Sequence, residues 1–156
     1  AGRKKAKLPR LTRVWECDMA DIRQVTEQFA VAPQLELDEF AAVAALGYTH
    51  IINNRPDGEG PDQPTSAQAE AAAKAAGLSY VHAPFVGQPT PDAVKAAAQA
   101  KGKTLAYCRS GTRSVTAWAL AQASDGGNAE QIIGAAGDAG YNLAPMSGML
   151  KQLGAK

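Results

Sequence analysis

The sequence predicts an α/β domain with a parallel central sheet and helices on both faces, and three observations lead there. Short apolar runs alternate with stretches of helical spacing, the pattern that puts strands side by side and helices across them. The helical stretches carry cap residues at their starts and glycines at their ends. The chain has 156 residues, 46% hydrophobic and 20% charged, which suits one ordinary compact domain and excludes fibrous and disordered classes.

Phe29-Ala30-Val31-Ala32 is a short apolar run stopped by Pro33, and Leu37 to Leu46 follows with helical spacing closed by Gly47. Tyr48 to Ile52 is rich in strand formers and breaks into Asn53-Asn54-Arg55-Pro56-Asp57-Gly58, a loop that continues to Pro64. Thr65-Ser66-Ala67-Gln68 reads as a capping box before an Ala-rich helix to Ala76, with Gly77 as its stop. Ser79 to Ala83 is the next strand. Thr90 then caps a helix with Pro91 at its tolerated first position and its end near Ala100. Thr104-Leu105-Ala106-Tyr107 is a fourth strand and Arg113 to Ala123 a helix. Asn128 to Ala136 and Pro145 to Leu153 read as two more helices, with Gly137 and Gly140 turning between them.

The net charge of +1 conceals an asymmetry, because Arg3, Lys4, Lys5, Lys7, Arg10 and Arg13 crowd the opening segment. Residues 1–20 read as a basic tail without interleaved aromatics, a solvated terminus rather than a nucleic-acid arm, and residues 21–156 as the domain. No stretch approaches the roughly 20 apolar residues of a membrane helix, and no signal-peptide core follows the basic start, so neither membrane nor nucleic acid is expected as a partner. Cys17 and Cys108 are too few for a disulfide scaffold, which favours a reducing, cytoplasmic setting. With two histidines and no metal-ligand spacing, neither metal nor cofactor is expected.

Tyr107-Cys108-Arg109-Ser110-Gly111-Thr112-Arg113-Ser114 carries the chemistry. A turn from strand to helix lies where α/β sheets bind ligands, and its amides, with those of the first helical turn, converge on an anion. Gly111 permits the curvature such a cradle needs. The positive helix end and nearby guanidinium groups favour the thiolate, so Cys108 is the expected nucleophile. Arg113 offers a planar fork for bidentate capture of an oxyanion, and Ser114 is expected to donate its hydroxyl to the sulfur. Arg109, Ser110, Gly111 and Thr112 form the substrate-binding loop, with the Arg109 side chain directed to carboxylates or solvent. Arg55 borders the same crevice, either to guide the substrate or to pair with Asp57 or Glu59 in a Pro-Gly turn. Cys17, between Glu16 and Asp18, is expected to be incidental, since negative neighbours disfavour a thiolate. His82, inside a strand, reads as a packed histidine rather than a base.

Three segments resemble the beta-lactamase-hydrolase-like or DUF442 family, whose domain is also found fused to persulfide dioxygenase modules. They are Phe29-Ala30-Val31-Ala32-Pro33-Gln34-Leu35, Ile51-Ile52-Asn53-Asn54-Arg55-Pro56-Asp57-Gly58-Glu59, and Tyr107 to Ser114 continued through Trp118-Ala119-Leu120-Ala121-Gln122. The resemblance implies a dual-specificity-phosphatase-like fold with a reactive loop similar to that of rhodaneses. Four residues separate Cys108 from Arg113, one fewer than in the phosphatase signature. By resemblance to rhodaneses, the smaller ring of amides suits a cysteine persulfide.

Phosphate monoester cleavage expels a poor leaving group and gains from a general acid, whereas sulfite leaving thiosulfate does not. Pro84-Phe85-Val86-Gly87-Gln88, where dual-specificity phosphatases place an aspartic acid, has no carboxylate; Asp92 and Asp57 are the nearest candidates. These readings together favour a sulfurtransferase, moving sulfane sulfur from thiosulfate or a persulfide to a thiol or cyanide through a Cys108 persulfide. Its partners are then a small sulfur donor, a thiol acceptor and, by resemblance, a persulfide dioxygenase pathway. The alternatives are a cysteine-dependent phosphatase using the same residues and a non-catalytic module that senses an anion or sulfide.

Overall fold

The computed structural model describes residues 21–156. The basic tail 1–20 and Cys17 lie outside the described residues. The elements are β1 (Arg23–Gln24), β2 (Phe29–Ala32), α1 (Glu39–Ala45), β3 (His50–Asn53), α2 (Ser66–Ala75), β4 (Ser79–His82), α3 (Pro91–Ala98), β5 (Thr104–Tyr107), α4 (Thr112–Ser124), α5 (Ala129–Asp138), a 3₁₀ turn (Ala144–Met146) and α6 (Ser147–Gln152).

The cap signals operate as the sequence suggests. Thr65 and Gln68 form a reciprocal capping box on α2, Thr90 accepts from Ala93 N–H with Pro91 following it, and Asn128 accepts from Gln131 N–H. Two expectations are corrected. Helix α5 runs through Gly137 to Asp138, and the turn falls on Gly140, whose φ of 98° is the left-handed geometry that glycine adopts freely. The segment expected as one helix from Pro145 starts instead as the 3₁₀ turn and becomes α-helical at Ser147.

The sheet order is β1-β2-β5-β3-β4, with β2, β5, β3 and β4 mutually parallel. β1 is an unanticipated antiparallel edge, pairing Arg23 with Val31 and Gln24 with Ala30. Two exposed polar residues carry no periodicity that could have announced it.

The last strand, β5, enters between β2 and β3, so it is the sheet's centre, and every residue of β2 and β5 is buried. Strand pleating then divides the core. Ala30, Ala32, Ile51, Leu105 and Tyr107 pack under α1 and α2 with Phe40, Val43 and Ala73. Phe29, Val31, Ile52 and Ala106 pack on the other face with Val115, Trp118, Ile132 and Leu150 of α4, α5 and α6. Helix α4 is buried on nearly every side, with Ala117, Ala119, Ala121 and Ala123 letting its neighbours approach closely. No helix among the described residues is long and apolar enough to cross a membrane.

Candidate active site

Sheet hydrogen bonding continues past the strand ends and draws the loops to one edge. Cys108 N–H donates to Ala32 O (3.3 Å), Asn54 N–H to Tyr107 O (2.8 Å), Ala83 N–H to Asn53 O (2.9 Å) and Gln34 N–H to Arg109 O (3.4 Å). Cys108 therefore stands at the carboxyl end of the central strand, where α/β sheets bind ligands, and it is wholly buried and free of a disulfide.

The loop closes over the sulfur through Gly111. Its N–H donates to Cys108 Sγ at 3.1 Å, and its φ of 94° is open to glycine and strained for other residues. A Cβ at this position would also run into the Tyr141 hydroxyl. Gly111 is the N-cap of α4 and brings no side chain to occupy the helix's first amides. They are left for an anion beside the sulfur.

Arg113 enters from the first turn of α4. Its Nη1 donates to Glu59 Oε2 (2.9 Å) and Phe85 O (3.0 Å), and its Nη2 to Glu59 Oε1 (2.7 Å). Nε–H and the second Nη2–H, one edge of the guanidinium fork, are not taken by Glu59 or Phe85. That edge is the geometry for bidentate capture of an oxyanion. Hydrogen bonds to Glu59 raise the Arg113 pKa above its ordinary value, and the nearby Cys108 sulfur adds in the same direction against desolvation.

Glu59 is the common acceptor of two arginines. Arg55 Nε donates to Glu59 Oε1 at 2.9 Å, and Arg55 Nη1 donates to Gln34 Oε1 at 3.0 Å. The hydrogen bonds from Arg113, and after them those from Arg55, hold the Glu59 carboxyl below its usual range against the opposing effect of burial. Arg55 is thus the partner of Glu59 in the loop after β3. It is buried with its fork on Glu59 and Gln34, so of its two expected roles the structure shows the pairing within the loop and not that of a guide for substrate.

Ser114 also differs from expectation. Its hydroxyl donates to Asn54 Oδ1 at 2.8 Å and not to the sulfur. Asn54 Nδ2 is committed to Ala83 O (2.9 Å), which leaves its oxygen turned to α4; both side chains are buried. The pair clamps α4 to the ends of β3 and β4.

Within the loop, Arg109 is exposed, as its expected direction toward solvent requires, and its side chain makes no hydrogen bond among the described residues. The Ser110 hydroxyl donates to Thr112 Oγ1 (3.2 Å) on the exposed side. The loop meets the sulfur through the backbone of Gly111, and not through the side chains of Arg109, Ser110 or Thr112.

Neither candidate acid makes a hydrogen bond to residues 108–113 among the described residues. Asp57 Oδ1 accepts from Ser66 N–H at the start of α2 (2.7 Å). Asp92 is exposed on α3 and lines a groove of about 430 Å³ with His50, Val81, His82 and Lys95, away from residues 108–113. His82 is bound through Nε2 to Arg55 O at 2.9 Å, a packed histidine as read. No group of three or more His, Cys, Asp or Glu among the described residues could hold a metal ion.

Sequence reasoning missed two contributors. Asn54 was part of a loop with no assigned task, and its place one residue beyond a strand was the only available signal. Tyr141 lies in the turn after α5, and its hydroxyl donates to Ser110 O at 3.0 Å. Burial pushes its pKa up, Arg23 opposes this, and Asp21 and then the Cys108 sulfur add to the rise.

Comparison with known proteins agrees with this geometry. Residues 21–125 match the family model described as "Beta-lactamase hydrolase-like protein, phosphatase-like domain". A beta-lactamase hydrolase-like protein of Xylella fastidiosa (strain Temecula1) is 37% identical over 137 residues, 84% of this chain and 32% of the relative. The chain thus spans about a third of the length of the curated relative. Among solved structures, a candidate phosphatase of Neisseria meningitidis Z2491 superposes with a TM-score of 0.72 at 32% identity, covering 85% of this chain and 98% of that one. Tk-PTP in its active form has the same fold (TM-score 0.64, 16% identity, 85% and 95% covered). With its cysteine, anion loop and arginine set on a phosphatase-like fold, the chain belongs to the phosphatase-like domain family of beta-lactamase hydrolase-like proteins.

Proposed function

We propose that the protein is a cysteine-dependent phosphatase for phosphate compounds with good leaving groups, such as aryl phosphates or phosphoric anhydrides. The observation that carries this reading is the Gly111 amide held on the Cys108 sulfur at the start of α4, whose first turn also carries the Arg113 guanidinium. The shared family and the likeness to a candidate phosphatase support it over the sulfur chemistry expected from loop length.

Cys108 Sγ attacks phosphorus, and the leaving group departs with the electron pair of its bond. The free edge of Arg113 and the amides of the first turn of α4 take the charge that builds on the equatorial oxygens. Water then hydrolyses the phosphocysteine, which releases inorganic phosphate and restores the thiolate. The restriction to good leaving groups follows from the carboxylates. Asp57 and Asp92 stand elsewhere, and Glu59 is kept ionised by two arginines, so none is set to protonate a departing alkoxide.

A second reading is favoured by one observation, the four-residue spacing between Cys108 and Arg113. In it the sulfur attacks the sulfane sulfur of thiosulfate, expels sulfite and passes the gained sulfur to cyanide or a thiol. Phosphate release is measured from aryl phosphates whose leaving groups range from strongly to weakly acidic phenols. Turnover that falls steeply along that series and vanishes in Cys108→Ser is the expected result. No release of phosphate, together with thiocyanate formation from thiosulfate and cyanide, overturns the phosphatase reading in favour of the second.

A further inference from the structure

We infer that Tyr141 is a positioning residue that keeps the Ser110–Gly111 peptide turned with its N–H onto the reactive sulfur. The two ends of this one peptide unit are both bonded: Ser110 O accepts from Tyr141 Oη at 3.0 Å, and Gly111 N–H donates to Cys108 Sγ at 3.1 Å. In a trans peptide the C=O and N–H point in opposite directions, so fixing the oxygen outward fixes the hydrogen inward.

No other group among the described residues bonds the Ser110 carbonyl. The peptide sits at a glycine with φ 94°, the residue type whose backbone rotates most freely, and the hydroxyls of Ser110 and Thr112 bond to each other. A turn of the plane would aim the Ser110 carbonyl, a negative dipole end, at the site of an anion.

Tyr141 is itself held. The Arg23 guanidinium lies 5.7 Å from its ring centre, and Arg23 Nη1 donates to Ala139 O (3.3 Å), two residues before the tyrosine. Asp21 fixes Arg23 in turn with a 3.1 Å ion pair. The short antiparallel strand β1 and the turn after α5, both remote in sequence from the loop, thus meet on the back of the anion cradle. The absence of a Cβ at Gly111 has a second purpose here, since that Cβ would occupy the place of the Tyr141 hydroxyl.

The inference rests on reading the loop as an anion site, and its test separates the two claims. Tyr141→Phe removes the hydroxyl and keeps the ring. Hydrogen exchange of the Gly111 amide is followed in the wild type, in Tyr141→Phe and in Cys108→Ala, with the Leu105 amide of the central strand as the internal control. The expected result is Gly111 exchange accelerated roughly three- to tenfold in both variants, as for the loss of one ordinary hydrogen bond, with Leu105 unchanged. Orthovanadate should bind Tyr141→Phe more weakly by a similar factor. Gly111 exchange in Tyr141→Phe equal to the wild type overturns the role of Tyr141. Failure of the wild type to bind orthovanadate overturns the anion-site reading, and the exchange comparison still decides whether Tyr141 holds the peptide.

Discussion

The loops after β5 and β3 leave adjacent parallel strands at the same edge of the sheet, yet they are held in different ways. The β5 loop, Cys108 to Thr112, is held by its backbone: Gly111 N–H bonds the sulfur, Ser110 O bonds Tyr141 and Arg109 O bonds Gln34 N–H. The β3 loop adds to its backbone bonds a set made by side chains: Asn54 to Ala83 O and Ser114, Arg55 to Glu59 and Gln34, and Asp57 to the start of α2. The β5 loop turns the Gly111 amide onto its own sulfur and leaves the first amides of α4 without a side-chain cap. Its neighbour carries the charges that aim Arg113.

This contrast can be broken from either side. The largest effect is expected where the two loops meet. Arg113→Ala removes the guanidinium that bridges them, and kcat/KM for an aryl phosphate should fall on the order of 10²–10³-fold, the usual loss for one oxyanion donor. Arg113→Lys should recover little of it, because a point charge lacks the free two-donor edge. Steady-state kinetics of both variants measure this.

A smaller loss is expected from Glu59→Gln, which leaves Arg113 its charge but loosens its aim, and about tenfold in kcat/KM is the expected size. The pH dependence gives the sign. The folded pKa of Glu59 lies below its ordinary value, so its ion pairs stabilise the fold above the unfolded carboxylate pKa and are lost as pH falls through the folded one. Thermal melts of the wild type from neutral to acid pH should show a decline in that window that is shallower in Glu59→Gln.

Asn54→Ala should act on stability more than on chemistry. It leaves the buried Ser114 hydroxyl without its acceptor and Ala83 O without its donor, which costs about 1–3 kcal/mol. Denaturant unfolding measures it. The smallest effect belongs to Thr65→Ala, away from both loops, where loss of the α2 cap should cost about 1 kcal/mol with kcat/KM unchanged.

The same contrast explains what was legible in the sequence. Four parallel strands, their helices and the cysteine loop were readable, because they rest on local signals such as Thr65 and Thr90 as caps and Gly111 at the turn. The backbone-held loop declares itself in one contiguous run, Cys108 to Ser114. The sequence leaves Ser114 with the wrong partner and Arg55 with two open roles, because each is decided by a partner on another element. Ser114 has the sulfur close by in its own sequence run, but an amide oxygen that only the fold brings to 2.8 Å takes its hydroxyl. Arg55 had both a crevice and an acid within reach, and packing with Gln34 selected the acid. β1 and Tyr141 were invisible, since two polar residues and one tyrosine in a turn gain meaning only through tertiary contact.

The proposed chemistry stands on Cys108 taking up the substrate's transferred group. Intact-protein mass after rapid acid quenching tests it most directly, with an aryl phosphate and thiosulfate offered in parallel to the wild type and to Cys108→Ala. One added group is expected on the wild type, a phosphoryl group from the first donor, mapped to the peptide that contains Cys108 and missing from the variant. An adduct of the same mass on Cys108→Ala, or turnover of either donor that persists in that variant, would contradict it.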